Sequence, residues 1–272
     1  MFDLKCPVCS TPLLRDGKSL RCQNGHCYDF AKQGYVNLLL SNRSSIHGDD
    51  KKMVLARTAF LEKGYYNCLR DRLAALAVTH CEASVNLLDA GGGEGWYTVG
   101  IRNALESVGK PCSACCVDIS KEALKAAAKR GGLTLAVASV NALPVQDSSC
   151  DLVLNVFAPN HDEEFLRVLR PGGILLRVVP LEDHLMGLKS AVYDTPYHNP
   201  APKYTPDGFT LLERSEVRST LTLTNSEDIQ NLFLMTPYYY KTGKADQEKL
   251  QALNTLTTEL AFCIFAYKKV RP

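Results

Sequence analysis

The stretch Val85–Gly109, VNLLDAGGGEGWYTVGIRNALESVG, decides the fold. A short apolar run passes into a glycine-rich turn and then into a helical pattern. Strand, tight turn and helix in that order open a doubly wound sheet, whose ligands bind beyond the carboxyl ends of its strands. A dinucleotide-binding turn would have the spacing G-x-G-x-x-G. Its third glycine would fall on position 96, and that residue is Trp96. The spacing found is G-x-G-x-G, at Gly91, Gly93 and Gly95, with Asp89 two residues before the first.

Outward from this turn the chain keeps alternating. CSACCVDIS predicts a strand ending at Asp118, and SKEALKAAAKR a helix capped by Ser120. LTLAVAS and CDLVLNVFAP predict two further strands, DEEFLRVLR a helix, and GGILLRVVP a strand. FTLLERSEVR and LAFCIFAYKK read as two late strands forming an antiparallel edge. Upstream, Asp49 or Asp50 can cap a helix through KKMVLARTAFLEK that stops at Gly64, and NCLRDRLAALAVTH fits a second helix. The fold class is therefore α/β, Rossmann-like, with a mostly parallel sheet and an antiparallel C-terminal edge.

With the sheet in place, the glycine turn resembles the first motif of class I S-adenosylmethionine-dependent methyltransferases. Gly91 and Gly93 would let the backbone approach the cofactor. Asp118 would accept from two ribose hydroxyls. Asn141, in ASVNAL after the third strand, is the candidate adenine contact, and LRPGGILL is a turn common in that class. A nicotinamide cofactor is the alternative for a glycine loop taken alone.

The N-terminus carries a different signal, CPVCSTPLLRDGKSLRCQNGHCYDF at Cys6–Phe30. Cys6 and Cys9 form C-x-x-C, and Cys22 and His26 follow about a dozen residues on. Zinc takes four such ligands in a tetrahedron. A hairpin turning at Asp16-Gly17 would join the pairs, and Gly25 would allow the second knuckle. A segment this short cannot bury enough apolar surface to fold unaided, so a metal would supply the missing stability. Spacing alone leaves Cys27 as an alternative to His26. The second C-x-x-C, Cys112 and Cys115, has no partner pair and reads as a buried strand.

Composition sets the frame. No apolar run approaches the roughly 18 residues of a membrane span, and MFDLKCPVCS lacks the features of a signal peptide, so the expected compartment is the cytosol. There, eleven cysteines are reduced thiols, and clustered ones bind metal. Residues 1–60 hold nine Lys/Arg against five Asp/Glu, while the rest is mildly acidic. The basic end suits an anionic partner.

Clip and sheet together resemble, end to end, the bacterial 23S rRNA (guanine-N1)-methyltransferases. The likeness rests on CPVC with CQNGH, YDFAKQGYVNLL, GDDKKMVLARTAFLEKGYY, LLDAGGGEGWYT, DISKEALKAAAKR, VASVNALPV, RPGGILL and HLMGLK. It is thinner beyond Lys189. The resemblance implies methyl transfer from S-adenosylmethionine to N1 of a guanosine in a 23S rRNA hairpin loop, in the hairpin 35 region. It implies one structural zinc ion on Cys6, Cys9, Cys22 and His26, and cofactor contacts by Tyr66, Asp89, Gly91, Gly93, Glu94, Asp118, Asn141 and His184. By sequence alone His184 would be an exposed residue at a helix start. Gly92 stands where relatives often carry cysteine, and a small residue is expected to fit there. The implied organisation is a zinc-binding, RNA-recognition module over 1–39 and a methyltransferase domain over 40–272, with 40–80 a helical segment covering the cofactor. A homodimer is a further implication.

NVFAPNHDEE follows the fourth strand and faces the acceptor pocket in this fold class. Phe157 could stack on the target base and Asn155 bind its edge. His161, Asp162 and Glu163 are conceivable bases, and each could equally cap the next helix; none is assigned. Arg15, Lys18, Arg21 and Lys32 could hold the RNA, with Arg43, Lys51, Lys52 and Arg57 extending the grip. Two other readings stay open at this point: a small-molecule methyltransferase with a structural zinc knot, and a non-catalytic RNA-binding module.

Overall fold

The computed structural model describes residues 2–40, 48–202, 204 and 206–270; Arg43 lies outside them. Strands β1 (Leu14–Asp16), β2 (Ser19–Arg21) and β3 (Cys27–Asp29) make a small antiparallel sheet near the N-terminus. Asp16 pairs with Ser19, so the two-residue turn is Gly17-Lys18, one position later than expected. Gly17 sits at φ 60°, the conformation such turns require.

The main sheet has eight strands. Its parallel centre is β5 (Val85–Ala90), β6 (Cys112–Asp118), β7 (Leu133–Val137), β8 (Cys150–Val156) and β9 (Leu169–Pro180). Strand β10 (Phe209–Leu223) and β11 (Leu256–Lys269) add an antiparallel edge, and β4 (Val36–Asn37) pairs parallel with β7 at the other. The spatial order is β10-β11-β9-β8-β5-β6-β7-β4. Order reverses between β5 and β8, which opens a crevice beyond their carboxyl ends. The expected α/β class is thus present, with two differences. Strand β4 was not expected. The Pro171-Gly172-Gly173 turn lies inside β9, where it forms an irregularity opposite Cys150 and Leu152.

The sheet is apolar on both faces because both are covered. Successive residues alternate between them: Leu87, Leu152 and Leu154 point into one core cluster, Leu88 and Val153 into the other. The first cluster takes in α1 (Lys51–Glu62), α2 (Asn67–His80), α3 (Trp96–Ser107) and α6 (Met186–Val192). The second takes in α5 (Asp162–Val168) and Phe2, Leu4, Leu13 and Leu20 of the N-terminal module. Helix α4 (Lys121–Ala128) packs on β6 and β7.

Helix α1 is capped by Asp50, whose side chain accepts from the Met53 N–H at 2.9 Å. Helices α7 (Ser226–Leu234), α8 (Tyr238–Lys241) and α9 (Lys244–Gln251), between β10 and β11, were not expected. Helices α7 and α8 fasten the α1 segment from outside. Lys63 pairs with buried Asp228 at 2.5 Å, Tyr65 donates to the same carboxylate at 2.7 Å, and Tyr240 donates to Asp50 at 2.9 Å. The segment from Asp49 to Tyr66 is thereby held beside the crevice.

Candidate active site and metal centre

Gly91, Gly93 and Gly95 all have positive φ (83°, 57° and 71°), so the loop after β5 turns where side chains are disfavoured. A Cβ on Gly91 would stand 2.5 Å from that of Ala158, which brings the loop after β8 against the glycine loop. The Gly93 N–H donates to Asp118 at 2.9 Å, and the Ser120 N–H to its other oxygen at 2.8 Å. Asp118 is half-buried at the end of β6, and burial raises its carboxyl above the usual range. At Gly92 the glycine fits as expected: a Cβ there would meet Asp89 Cγ and Cys116 Sγ, each at 2.6 Å. With Cys116 filling that space, only glycine fits.

Among the described residues, two buried carboxylates flank the loop with oxygens to spare. Asp89 accepts from Thr98 Oγ1 at 2.5 Å on one oxygen, while its Oδ1 has no partner. Burial pushes its carboxyl up to about 7. Glu94 accepts from Arg57 Nε at 2.6 Å, while its Oε1 has no partner. Arg57 also pairs with Asp49. Arg57 is therefore spent across the glycine loop rather than available to RNA. Lys52 is exposed, with Nζ 3.3 Å from the Tyr239 hydroxyl and no ion pair among the described residues.

Tyr66 sits at the junction of α1 and α2, just past Gly64 (φ 79°). It joins an aromatic cluster with His184, Phe157 and Phe262. Ring centroids lie 5.1 Å apart for Tyr66–Phe262, 4.6 Å for His184–Phe262 and 6.5 Å for the stacked pair Phe157–His184. His184 is buried, against the expectation of exposure. Its Nδ1 accepts from the Ala261 N–H at 3.2 Å, which puts the ring proton on Nε2. Burial, then the nearby Lys189 charge, pulls its pKa down to about 3. Phe157 has φ 55° and is 46% exposed, so a strained backbone holds this ring out of the core. Sequence reading missed Phe262, which looked like any strand residue.

On β8, buried Asn155 donates to the Ala90 carbonyl at 3.3 Å and that of Pro159 at 3.1 Å. Its Oδ1 has no partner among the described residues. Asp162 begins α5 and accepts from the Tyr204 hydroxyl, which also reaches Asn160 at 2.7 Å. Glu163 is exposed, and His161 precedes α5 without capping it. Asn141 lies exposed on a short 3-10 turn, Val140–Ala142, after β7.

The residues present fit S-adenosylmethionine. Spare carboxylate oxygens at Asp89 and Glu94 suit a ligand with cationic and N–H groups, the glycines leave a cradle that a Cβ would fill, and Asp118 is open to hydroxyl donors.

In the N-terminal module, ligand atoms of Cys6, Cys9, Cys22 and His26 all lie within 4.8 Å of one another. Cys22 Sγ is 3.3 Å from His26 Nδ1, and Cys9 Sγ is 3.6 Å from Cys22 Sγ. Cys27 is exposed on β3 and outside the group, which resolves the alternative in favour of His26. Hydrogen bonds from Thr11 hold the Cys9 thiol down at about 5, so it is ready to ligate as thiolate. Four soft or borderline donors at this spacing suit one structural zinc ion.

Comparison with known proteins matches both parts of the chain. Residues 4–43 match the family model described as "RlmA, N-terminal", and residues 88–177 match "Methyltransferase domain". The chain is 40% identical over 193 residues to the 23S rRNA (guanine(748)-N(1))-methyltransferase of Streptomyces fradiae, covering 70% of this chain and 67% of that protein. It is 35% identical to YxjB of Bacillus subtilis, provisionally named a 23S rRNA (guanine-N(1)-)-methyltransferase, over 71% of this chain and 70% of that one. A solved structure from Anaeromyxobacter dehalogenans, provisionally described as a type II methyltransferase, superposes with a TM-score of 0.51. At 15% identity, over 74% of this chain and 97% of that one, it speaks for the fold alone. Zinc ribbon, glycine cradle and relatives converge: the chain belongs to the family of 23S rRNA (guanine-N1)-methyltransferases.

Proposed function

We propose that this protein methylates N1 of a guanosine in a hairpin loop of 23S rRNA. The observation that carries the reading is the 40% identity with the Streptomyces fradiae enzyme, which spans two thirds of that enzyme's length. When bound, S-adenosylmethionine supplies a methyl group already activated by its sulfonium. The chain's part is to orient the two reactants. Asp118 would hold the ribose hydroxyls, Asn141 the adenine, and Asp89 and Glu94 the polar end of the cofactor. Tyr66 and His184 would close over it from the aromatic cluster.

A guanine must leave its stack to react, which is easier in a loop than in a duplex. Phe157, exposed and held at positive φ, is suited to stack on it. Asn155 keeps a free acceptor oxygen for its edge. The zinc module would grip the hairpin through Arg15, Lys18, Arg21 and Lys32, which are all exposed. Incubation with labelled S-adenosylmethionine and unmethylated 23S rRNA tests the reading. Label in 1-methylguanosine at one loop position is the expected result. Turnover of small substrates with unlabelled RNA would overturn it.

A further inference from the structure

Arg177 on β9 is in register with Asn155 on β8, so both side chains share a sheet face. Its guanidinium carbon stands 3.7 Å over the ring of Tyr204. Three other partly buried arginines have carboxylates: Arg57 has Glu94 and Asp49, Arg130 has Glu62, and Arg167 has Asp147 and Glu164. Among the described residues Arg177 makes no ion pair, and its buried Nε and Nη1 find no hydrogen-bond partner there. Burial pulls its pKa below the ordinary range, an effect that the Asp162 charge offsets only in part. The titratable groups near it are Asp162 on α5, Tyr267 on β11 and Tyr204. An enclosed cation with spare donors, one strand away from an enclosed amide with a spare acceptor, is costly to keep unless a ligand completes it.

We propose that Arg177 contacts the substrate, donating to O6 of the target guanine while Asn155 Oδ1 accepts from its 2-amino group. The inference rests on N1 of guanine as the methyl acceptor. O6 and the 2-amino group flank N1, so these contacts leave the reacting nitrogen between them. Adenine carries a donor where guanine has O6, and would face the arginine with donor against donor. In the reaction, N1 gives its proton to water and the resulting charge spreads onto O6. The N1 lone pair then takes the methyl carbon as the carbon–sulfur bond breaks, with that bonding pair staying on sulfur. Arg177 holds the charge on O6 at the moment it develops.

The test uses the full-length zinc-loaded protein with 23S rRNA, alongside an RNA carrying inosine at the target. Wild-type methylation comes first: its absence would overturn the N1 reading and this inference with it, whereas its presence leaves Arg177 alone in question. R177Q is expected to lose about 100-fold in kcat, with cofactor affinity and Tm near wild type. Its rate should keep rising with pH where the wild-type rate has levelled, because the base must then ionise unaided. R177K should recover part of the loss. Inosine keeps O6 but lacks the 2-amino group, so the R177Q penalty should persist on inosine RNA while that of N155A disappears. A loss under about threefold, an unchanged pH profile, or a loss that merely tracks Tm would each overturn the proposal; if R177Q fails to fold, R177K and the inosine comparison decide it.

Discussion

Asp89 shows how a single residue can link cofactor binding to pH. Its carboxyl is buried, bound to Thr98 on one oxygen only, and lifted to about 7. A cationic cofactor prefers the ionised form. Affinity for S-adenosylmethionine should therefore rise with pH through about 7, by up to tenfold per unit below it. Calorimetric titration between pH 5.5 and 8.5 checks this, and Asp89→Asn should bind weakly with a flat profile. His184 acts on stability, and in the same direction with pH. Its folded pKa of about 3 lies below the ordinary value of 6.5. Its contribution is full above 6.5 and is lost as pH falls toward 3, because only the unfolded chain takes up the proton readily. Relative to His184→Phe, the wild type should lose about 1.4 kcal/mol per pH unit in that window, read from urea unfolding. The raised Asp89 pKa works against this in wild type and variant alike: its contribution is present below 3.8 and lost as pH rises through 7. The difference between the two proteins isolates the histidine.

Among the elements, the zinc hairpin is the one whose stability is borrowed. Strands β1, β2 and β3 are three residues each, and Leu14 is 71% exposed. Metal coordination must supply most of what holds them. Cys22→Ser should reduce bound zinc from one equivalent to a small fraction, measured by metal analysis. RNA affinity should fall at least tenfold, while cofactor affinity changes less than about twofold, since the glycine cradle is built on β5 and β6.

Across the whole molecule, the module and the sheet are joined in several places. Leu4 bridges Val145, Lys5 pairs with Asp147 at 3.2 Å, and β4 extends the main sheet beside β7. The zinc module is thus fixed relative to the crevice, as a gripping surface must be if it is to present a loop to it. Reversing charge at Arg15, Lys18 and Arg21 should weaken RNA binding and flatten its salt dependence by roughly two to three units of slope, leaving cofactor binding intact. Unchanged slope in a binding titration would remove the gripping role from these residues. Arg57, engaged by Glu94 and Asp49, should add little to that slope.

What the chain declares locally, it declared by sequence alone. The glycine turn, the acid at the end of the next strand and the Cys-x-x-Cys and Cys–His pairs are short-range patterns, because a turn or a metal knuckle is formed by residues a few positions apart. They were enough for the α/β class and both cofactors. The tertiary structure decided everything that needs distant segments to meet. Strand β4 is two residues long and finds its partner a hundred residues away. His184 is buried because β11, late in the chain, supplies the Ala261 N–H and the Phe262 ring. Tyr204 and Arg177 meet across a long connection, and neither stands in a local motif. Helices α7 and α8 clamp the α1 segment through long-range pairs such as Lys63 with Asp228 and Tyr240 with Asp50. Periodicity and spacing report on neighbours along the chain, whereas a buried charge or an aromatic cluster is defined by neighbours in space, and only packing chooses those.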